Sequence, residues 1–401
     1  MRLLGWLISA SLRQRALVIC ATLLFILFGL RAAWELPMDA VPDVTNVQVQ
    51  ILTSAPALSP VEMEQYVTIP VERAMSGLPH LRELRSISKY GLSLVTVVFS
   101  DDTDIYLARQ LVSERMRDAE QNIPRRYGQP QIGPLSTGLG EIFQFVVHAP
   151  SMMQAVETLD WYIGPQLRTV PGIVELNSHG GEQKEFQIIL HPGRLQAAGL
   201  SVTQVVSALE RSNANAGGGY LVHNREQYVI GAVGLIRSLD DLRSVVIAAT
   251  PQGVPITVAQ LGEVRVGPGL RRGAASMDGQ GEVAVGVALM LRGENARTVT
   301  QAVKAKLQSL SGSLPAGVRV EPFYDRSTLV DRVIRTVTTN LIEGAALVIL
   351  VLLVLLGDVW AGLIVACTIP LSMLFALLCL KILGGSGNLM SLGAVDFGLI
   401  V

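Results

Sequence analysis

The apolar positions of this chain are gathered into blocks, and the polar stretches between them carry the shorter periods of packed helices and strands. Ala16 to Leu30 contains no charge, follows Arg2, Arg13 and Arg15, and is closed by Arg31 and Trp34. That pattern predicts a first transmembrane helix within residues 1–34, with the N-terminus on the cytoplasmic side. No small-x-small site follows, so the segment does not read as a cleavable signal. Val337 to Gly357, with Glu343 near its start, predicts a second span, and the charge-free run Val359 to Leu380 predicts a third. The short Gly357, Asp358, Val359 connection makes these two an antiparallel hairpin. Gly384, Gly385, Ser386, Gly387 and Asn388 form a turn into the start of a fourth span, residues 388–401.

Between the first and second spans, Glu35 to Thr336 has globular patterning and must lie on the far side of the membrane, since long domains translocate largely regardless of charge. This block repeats itself. Gly77-Leu78-Pro79 leads into a strand through Ser86 after a helical stretch from Pro60 to Ser76, and about 92 residues later Thr169-Val170-Pro171 leads into a strand through Ser178 after a helical stretch from Met153 to Arg168. The second halves match too. Leu94 to Phe99 is a strand followed by a helix from Thr103 to Asn122 and a strand after Pro124; Val283 to Leu291 is a strand followed by a helix from Ala296 to Leu310 and a strand after Pro315. Each copy reads β-α-β-β-α-β, the ferredoxin-like layout with two helices on one face of a sheet. The fold class expected is an α+β membrane protein: helical spans plus two such subdomains, at 35–135 and at 136–180 with 272–325, the second interrupted by an insert at 181–271. The insert has its own helix, Ser201 to Arg211, and a glycine-rich tip at Gly217, Gly218 and Gly219 between Tyr220–Val222 and Tyr228–Ile230. That hairpin is either a contact arm or an ordinary surface loop; neither Lys nor Ser follows the glycines at phosphate-loop spacing.

Composition agrees with a membrane setting. Half the residues are hydrophobic and 16% are charged, against about 25% in soluble domains, and mean hydropathy is +0.42. The net charge of −1 and the lack of a basic run or aromatic platform give no indication of nucleic acid binding. Cys20, Cys367 and Cys379 are the three cysteines and all fall in predicted spans, so the external block relies on its cores without disulfides. The five histidines, His80, His148, His179, His191 and His223, have no i, i+3 or i, i+4 partner for a compact metal site. Met152 and Met153 point to different sides of a helix and make no thioether site.

Asp396 is the chemically conspicuous residue. A rise of about 1.5 Å per residue puts it roughly 10 to 12 Å into a helix starting near Leu389, where an ionisable group is costly and marks a proton or ion pathway. A helix starting one or two turns later would instead leave it as an interfacial structural carboxylate.

Several runs carry a family resemblance. LPMDAVPDVTNVQVQ (Leu36 to Gln50), RSISKYGLSLVTVVF (Arg85 to Phe99), STGLGEI (Ser136 to Ile142), RRGAASMDGQGEVA (Arg271 to Ala284), YDRSTLVDRVI (Tyr324 to Ile334) and SLGAVDFGLIV (Ser391 to Val401) resemble resistance-nodulation-division (RND) efflux pumps of the heavy-metal branch. The last run is similar to the fourth-span motif of the cobalt, zinc, cadmium and nickel exporters. The resemblance implies an inner-membrane homotrimer, with the external block forming periplasmic porter subdomains and a docking insert. It implies proton-driven efflux of divalent cations together with a periplasmic adaptor and an outer-membrane channel, not enzyme catalysis, and no resident cofactor. Asp396 would be the first carboxylate of the proton relay; Glu141, in STGLGEI, and Glu175, on the second strand of the second subdomain, are the acidic candidates for the metal cleft, with solvated strand-end carboxylates as the alternative. The hairpin near Gly217 to Tyr228 would reach into the next protomer. Family members consist of two homologous halves, so the chain reads as an N-terminal fragment not expected to transport alone. A multidrug or lipophile exporter of the superfamily, which would favour a more aromatic cleft than the 5% aromatic content here, and a membrane-anchored periplasmic interaction protein are the other function classes.

Overall fold

A computed structural model describes residues 11, 13–39, 42–271, 273–279, 281–356, 360, 364, 367–388, 390 and 391 of the chain. Helix α1, Arg15–Glu35, has no polar face, and only Gly29 and Ala32 are buried along it. A helix apolar on all sides belongs in an apolar medium. Among the described residues, Arg15–Glu35 and Arg326–Val351 are the stretches long and apolar enough to cross a membrane.

The chain then enters the first four-stranded sheet. Its elements in order are β1 (Gln48–Ser54), a broken helix α2, β2 (Leu81–Lys89), β3 (Leu92–Phe99), helix α3 (Ile105–Asn122) and β4 (Gln131–Ile132). Strand order is β2-β3-β1-β4, with antiparallel pairing throughout. Helix α2 starts at a capping box of Ser59 with Glu62 and runs through Pro60–Met63, a π-helical turn Glu64–Thr68, and Ile69–Met75. Pro70 explains the wide turn: it has no N–H to donate, and in a regular helix its ring would strike the carbonyl of Tyr66. Val49, Ile51, Val95, Val97 and Phe99 pack from the sheet against Met63, Val67, Val71 and Met75 of α2 and Ala108 and Val112 of α3.

The second sheet repeats this order. It is built from β5 (Glu141–His148), helix α4, β6 (Ile173–His179), β13 (Ala284–Met290) and β14 (Arg319–Asp325), arranged β14-β5-β13-β6, again antiparallel. Helix α4 comprises Met152–Thr158, a π-helical turn Leu159–Ile163 and Gly164–Leu167. Pro165 here plays the part of Pro70. Both π-turns went unseen in the sequence pattern, although the prolines that require them stand at matching places.

The insert leaves after β6 and returns before β13. Strand β7 (Lys184–Leu190) pairs with β12 (Gly262–Pro268) at its base, and β10 (Val246–Ala249) pairs with β11 (Pro255–Thr257). Helix α5 (Val202–Ser212) is capped by Ser201 and Gln204. Strands β8 (Ala216–His223) and β9 (Glu226–Ala232) form a hairpin exposed on both faces. The expected glycine tip is corrected here: the turn is made by Asn224 and Arg225, at φ 52° and 68°. The glycines lie within β8, where pairing breaks between Gly217 and Tyr220; a Cβ at Gly218 would sit 2.8 Å from Ile230.

Helix α6 (Ala296–Leu310) packs beneath the second sheet, and β14 runs straight into helix α7, Arg326–Leu356. The second span was expected from Val337; its helix begins at Arg326, because no helix breaker separates the two and the Asp325 carboxylate accepts from the Ser327 N–H at 2.9 Å to cap the start. Helix α8, Thr368–Ile382, covers the later part of the third predicted span and packs on α1, with Phe25 and Phe375 6.2 Å apart. The contact is close at Gly29, where a Cβ would lie 2.9 Å from Leu374 Cβ. After α8, Asn388 Oδ1 accepts from the N–H groups of Met390 and Ser391, both at 3.0 Å, as a helix cap does. The expected 357–359 connection and most of the fourth span, including Asp396, lie outside the described residues.

Candidate functional site

Each four-stranded sheet has one face under helices and one face turned away from them. In the second sheet Phe143, Phe145, Val147, Leu176, Ala284 and Ala288 point into the helical core. Strand period then sends the alternate residues to the other face. The pairing of β5 with β13 skips Ile142, which takes Glu141 out of step with Phe143 and sets it opposite Leu289, and Leu289 in turn stands opposite Glu175. The two carboxylates therefore share the helix-free face, one on each side of a leucine. Their backbones are separated by two strand spacings, roughly 10 Å.

The same face carries Gln144 and Asn177, opposite Val287, then Val146 and His179, opposite Val285. Gln144 donates to Glu141 Oε2 at 3.0 Å, which steadies that carboxylate. Towards the far end His148 Nε2 meets Glu321 Oε2 at 2.9 Å, across β5 and β14. Glu141 is exposed and Glu175 half-buried, so both remain accessible. Carboxylate oxygen and imidazole are suitable donors for divalent cations. Among the described residues, no three His, Cys, Asp or Glu side chains converge into a complete ligand set. A cation held between Glu141 and Glu175 would thus need further ligands from a surface facing the sheet.

Where the insert joins the sheet, a cavity of about 640 Å³ is lined by Asp160, His179, Glu182, Glu185 and Arg271 among others. It adjoins the end of the helix-free face at His179 and contains neither Glu141 nor Glu175. The candidate Asp396 lies outside the described residues, so the proton-pathway and interfacial readings are both carried forward as readings of sequence. Sequence reasoning passed over Gln144 and the His148–Glu321 pair. Strand alternation in EIFQFVVH (Glu141 to His148) would put Glu141 and Gln144 on opposite faces; the irregularity that skips Ile142 in the pairing with β13 brings them together.

The sequence profile of the AcrB/AcrD/AcrF family matches residues 7–401. The chain belongs to that family. Within it, the chain is 46% identical to the cation efflux system protein CzcA of Alcaligenes sp. strain CT14 over 98% of its own length and 38% of the relative's. It is 45% identical to the cobalt-zinc-cadmium resistance protein CzcA of Cupriavidus metallidurans, with the same coverage. A crystal structure of a heavy metal efflux pump superimposes with a TM-score of 0.87 at 36% identity, covering 98% of this chain and 40% of that one. These matches place this AcrB/AcrD/AcrF family member in the heavy-metal branch of the RND pumps. The chain spans about two-fifths of the length of the curated relatives it matches.

Proposed function

We propose that the chain serves in proton-driven export of divalent heavy-metal cations of the cobalt, zinc, cadmium and nickel class, as inner-membrane subunit of a pump spanning the cell envelope. The observation that carries this reading is the pairing of Glu141 and Glu175 on the helix-free face of the second sheet, across Leu289. In this reading the two sheets with their helices are ferredoxin-like porter subdomains on the periplasmic side, and the metal is substrate, bound by Glu141, Glu175 and ligands from an opposing surface. Asp396 loads and releases the proton, since desolvation in the bilayer raises a carboxylate's pKa towards the range where protonation can alternate.

The assembly proposed is a homotrimer working with a periplasmic adaptor and an outer-membrane channel. The insert is its docking subdomain. Tyr220, Leu221 and Val222 on β8 and Val229 on β9 are exposed on a hairpin with no core of its own, and such a hairpin is marginal unless another surface covers it. Deleting Asn215 to Asn224 is expected to weaken the trimer on native gels. The function itself is tested by zinc and cobalt efflux from cells making the full-length protein with Asp396→Asn: loss of proton-coupled efflux supports the reading, and unchanged efflux removes Asp396 from the mechanism. Growth across metals and drugs separates metal export from multidrug export.

A further inference from the structure

Arg326 is 3% exposed, at the point where the second sheet becomes helix α7. A buried guanidinium must be paired, and its planar fork can bond two groups at once. Here it bonds two segments far from each other in the chain. Arg326 Nε donates to Asp39 Oδ1 at 2.8 Å, and Arg326 Nη1 donates to the Leu139 carbonyl. Each of these partners leads directly to a second place.

On one side, the Asp39 N–H donates to the Gly387 carbonyl at 2.9 Å, and the Gly387 N–H donates to the Pro37 carbonyl at 2.9 Å. Gly387 is followed by Asn388, whose side chain caps the helix entered at Met390. On the other side, Leu139 precedes Gly140 and Glu141 on a stiff loop. The Met290 N–H donates to the Gly140 carbonyl at 2.7 Å, and Ser136 Oγ donates to the Met290 carbonyl at 3.0 Å. Any Cβ at Gly140 would collide with Ser136 Oγ. A cleft of about 330 Å³, lined by Asp39, Leu139, Gly140, Glu294 and Ser386 among others, leaves space beside this joint.

We propose that Arg326 is a positioning residue that links the entry of the fourth span to the Glu141 end of the carboxylate face. Movement at the Gly387–Asn388 turn is passed to Asp39, from there to Arg326, and through the Leu139 carbonyl to the strand start that carries Glu141. The proposal deepens the proton-driven reading above and rests on it. By linkage, the protonation state of the membrane carboxylate must then alter metal affinity, and the metal must alter proton affinity by the same factor.

The test measures zinc affinity by calorimetry on the purified full-length protein, with and without Asp396→Asn, in the wild-type and Arg326→Lys backgrounds. Lysine keeps the cation for Asp39 but cannot bond Asp39 and Leu139 as a fork, so it preserves the buried charge while breaking the link. In the wild-type background, Asp396→Asn is expected to shift the zinc Kd by about 5- to 150-fold. With Arg326→Lys the shift is expected to fall to about twofold or less, the range of independent sites. A merely structural role for Arg326 would change affinity equally in both Asp396 forms, leaving the shift intact, and that result overturns the assignment. A wild-type protein indifferent to Asp396→Asn overturns the proton-driven reading and the link together.

Discussion

The two sheets offer one row of residues at the same place, and only one of the rows carries two carboxylates. In the first sheet Val98 stands between Gln48 and Glu83; in the second, Leu289 stands between Glu141 and Glu175. The correspondence is fixed by a shared irregularity: pairing skips Arg82 in the first copy and Val174 in the second, just before the glutamate. Where the second copy has Glu141, the first has a neutral amide, and Arg85 Nη2 donates to Gln48 Oε1 at 3.3 Å. A guanidinium beside the row opposes cation binding there. One strand order thus carries two different rows on the helix-free face, a carboxylate pair in the second sheet and an amide with one carboxylate in the first.

The largest effect is expected from making the second row resemble the first. Glu141→Gln should weaken zinc binding by about 10- to 100-fold, at least the cost of losing a supporting group around a metal site, as read by calorimetry on the full-length protein. An unchanged Kd would erase the distinction between the rows. A second contrast lies under the helices. Ile51 faces Val95 in the first sheet, while Phe145 faces Gly286 at the matching place in the second. A Cβ on Gly286 would lie 2.5 Å from the Phe145 ring. Gly286→Val should therefore destabilise by about 1–3 kcal/mol through overpacking. Adding Phe145→Ile should restore part of that loss, with a coupling of about 0.5–3 kcal/mol in a thermal-unfolding cycle.

A smaller effect concerns acid. Asp325, at the end of β14, is pushed up by partial burial, but bonds from Lys304 at 2.7 Å and from Ser327 outweigh this and hold its pKa below the usual value. A depressed folded-state pKa adds stability above the unfolded value and loses it as pH falls through the folded one. Stability of the second subdomain should accordingly decline below about pH 4, and Asp325→Asn should flatten that part of the curve in denaturant titrations. The smallest effect is the converse exchange: Gln48→Glu should add no second zinc, because Arg85 remains beside it, and a raised binding stoichiometry would show that the carboxylate pair alone is enough.

Much of this was legible in the sequence, for reasons that differ by element. The first span is an uncharged run, and the repeat announces itself through Pro79 and Pro171 before matching strands. The Asn224–Arg225 turn was not legible, since the nearby glycines gave the stronger turn signal while serving a broken strand. Glu141 and Glu175 were singled out individually, yet their position on either side of Leu289 depends on β13, which arrives only after the insert and enters between their strands. Arg326 and Asp39 are separated by 287 positions, and no local period records such a pair. Their meeting follows from packing the spans against the second subdomain.

The central claim is that the helix-free face of the second sheet receives the metal. Anomalous scattering at the zinc edge, from crystals of the full-length protein grown with zinc, tests it most directly. The predicted result is a peak about 2.0–2.2 Å from carboxylate oxygens of Glu141 and Glu175, lost in Glu141→Gln. A peak elsewhere in the protein, with that face empty, would contradict the account.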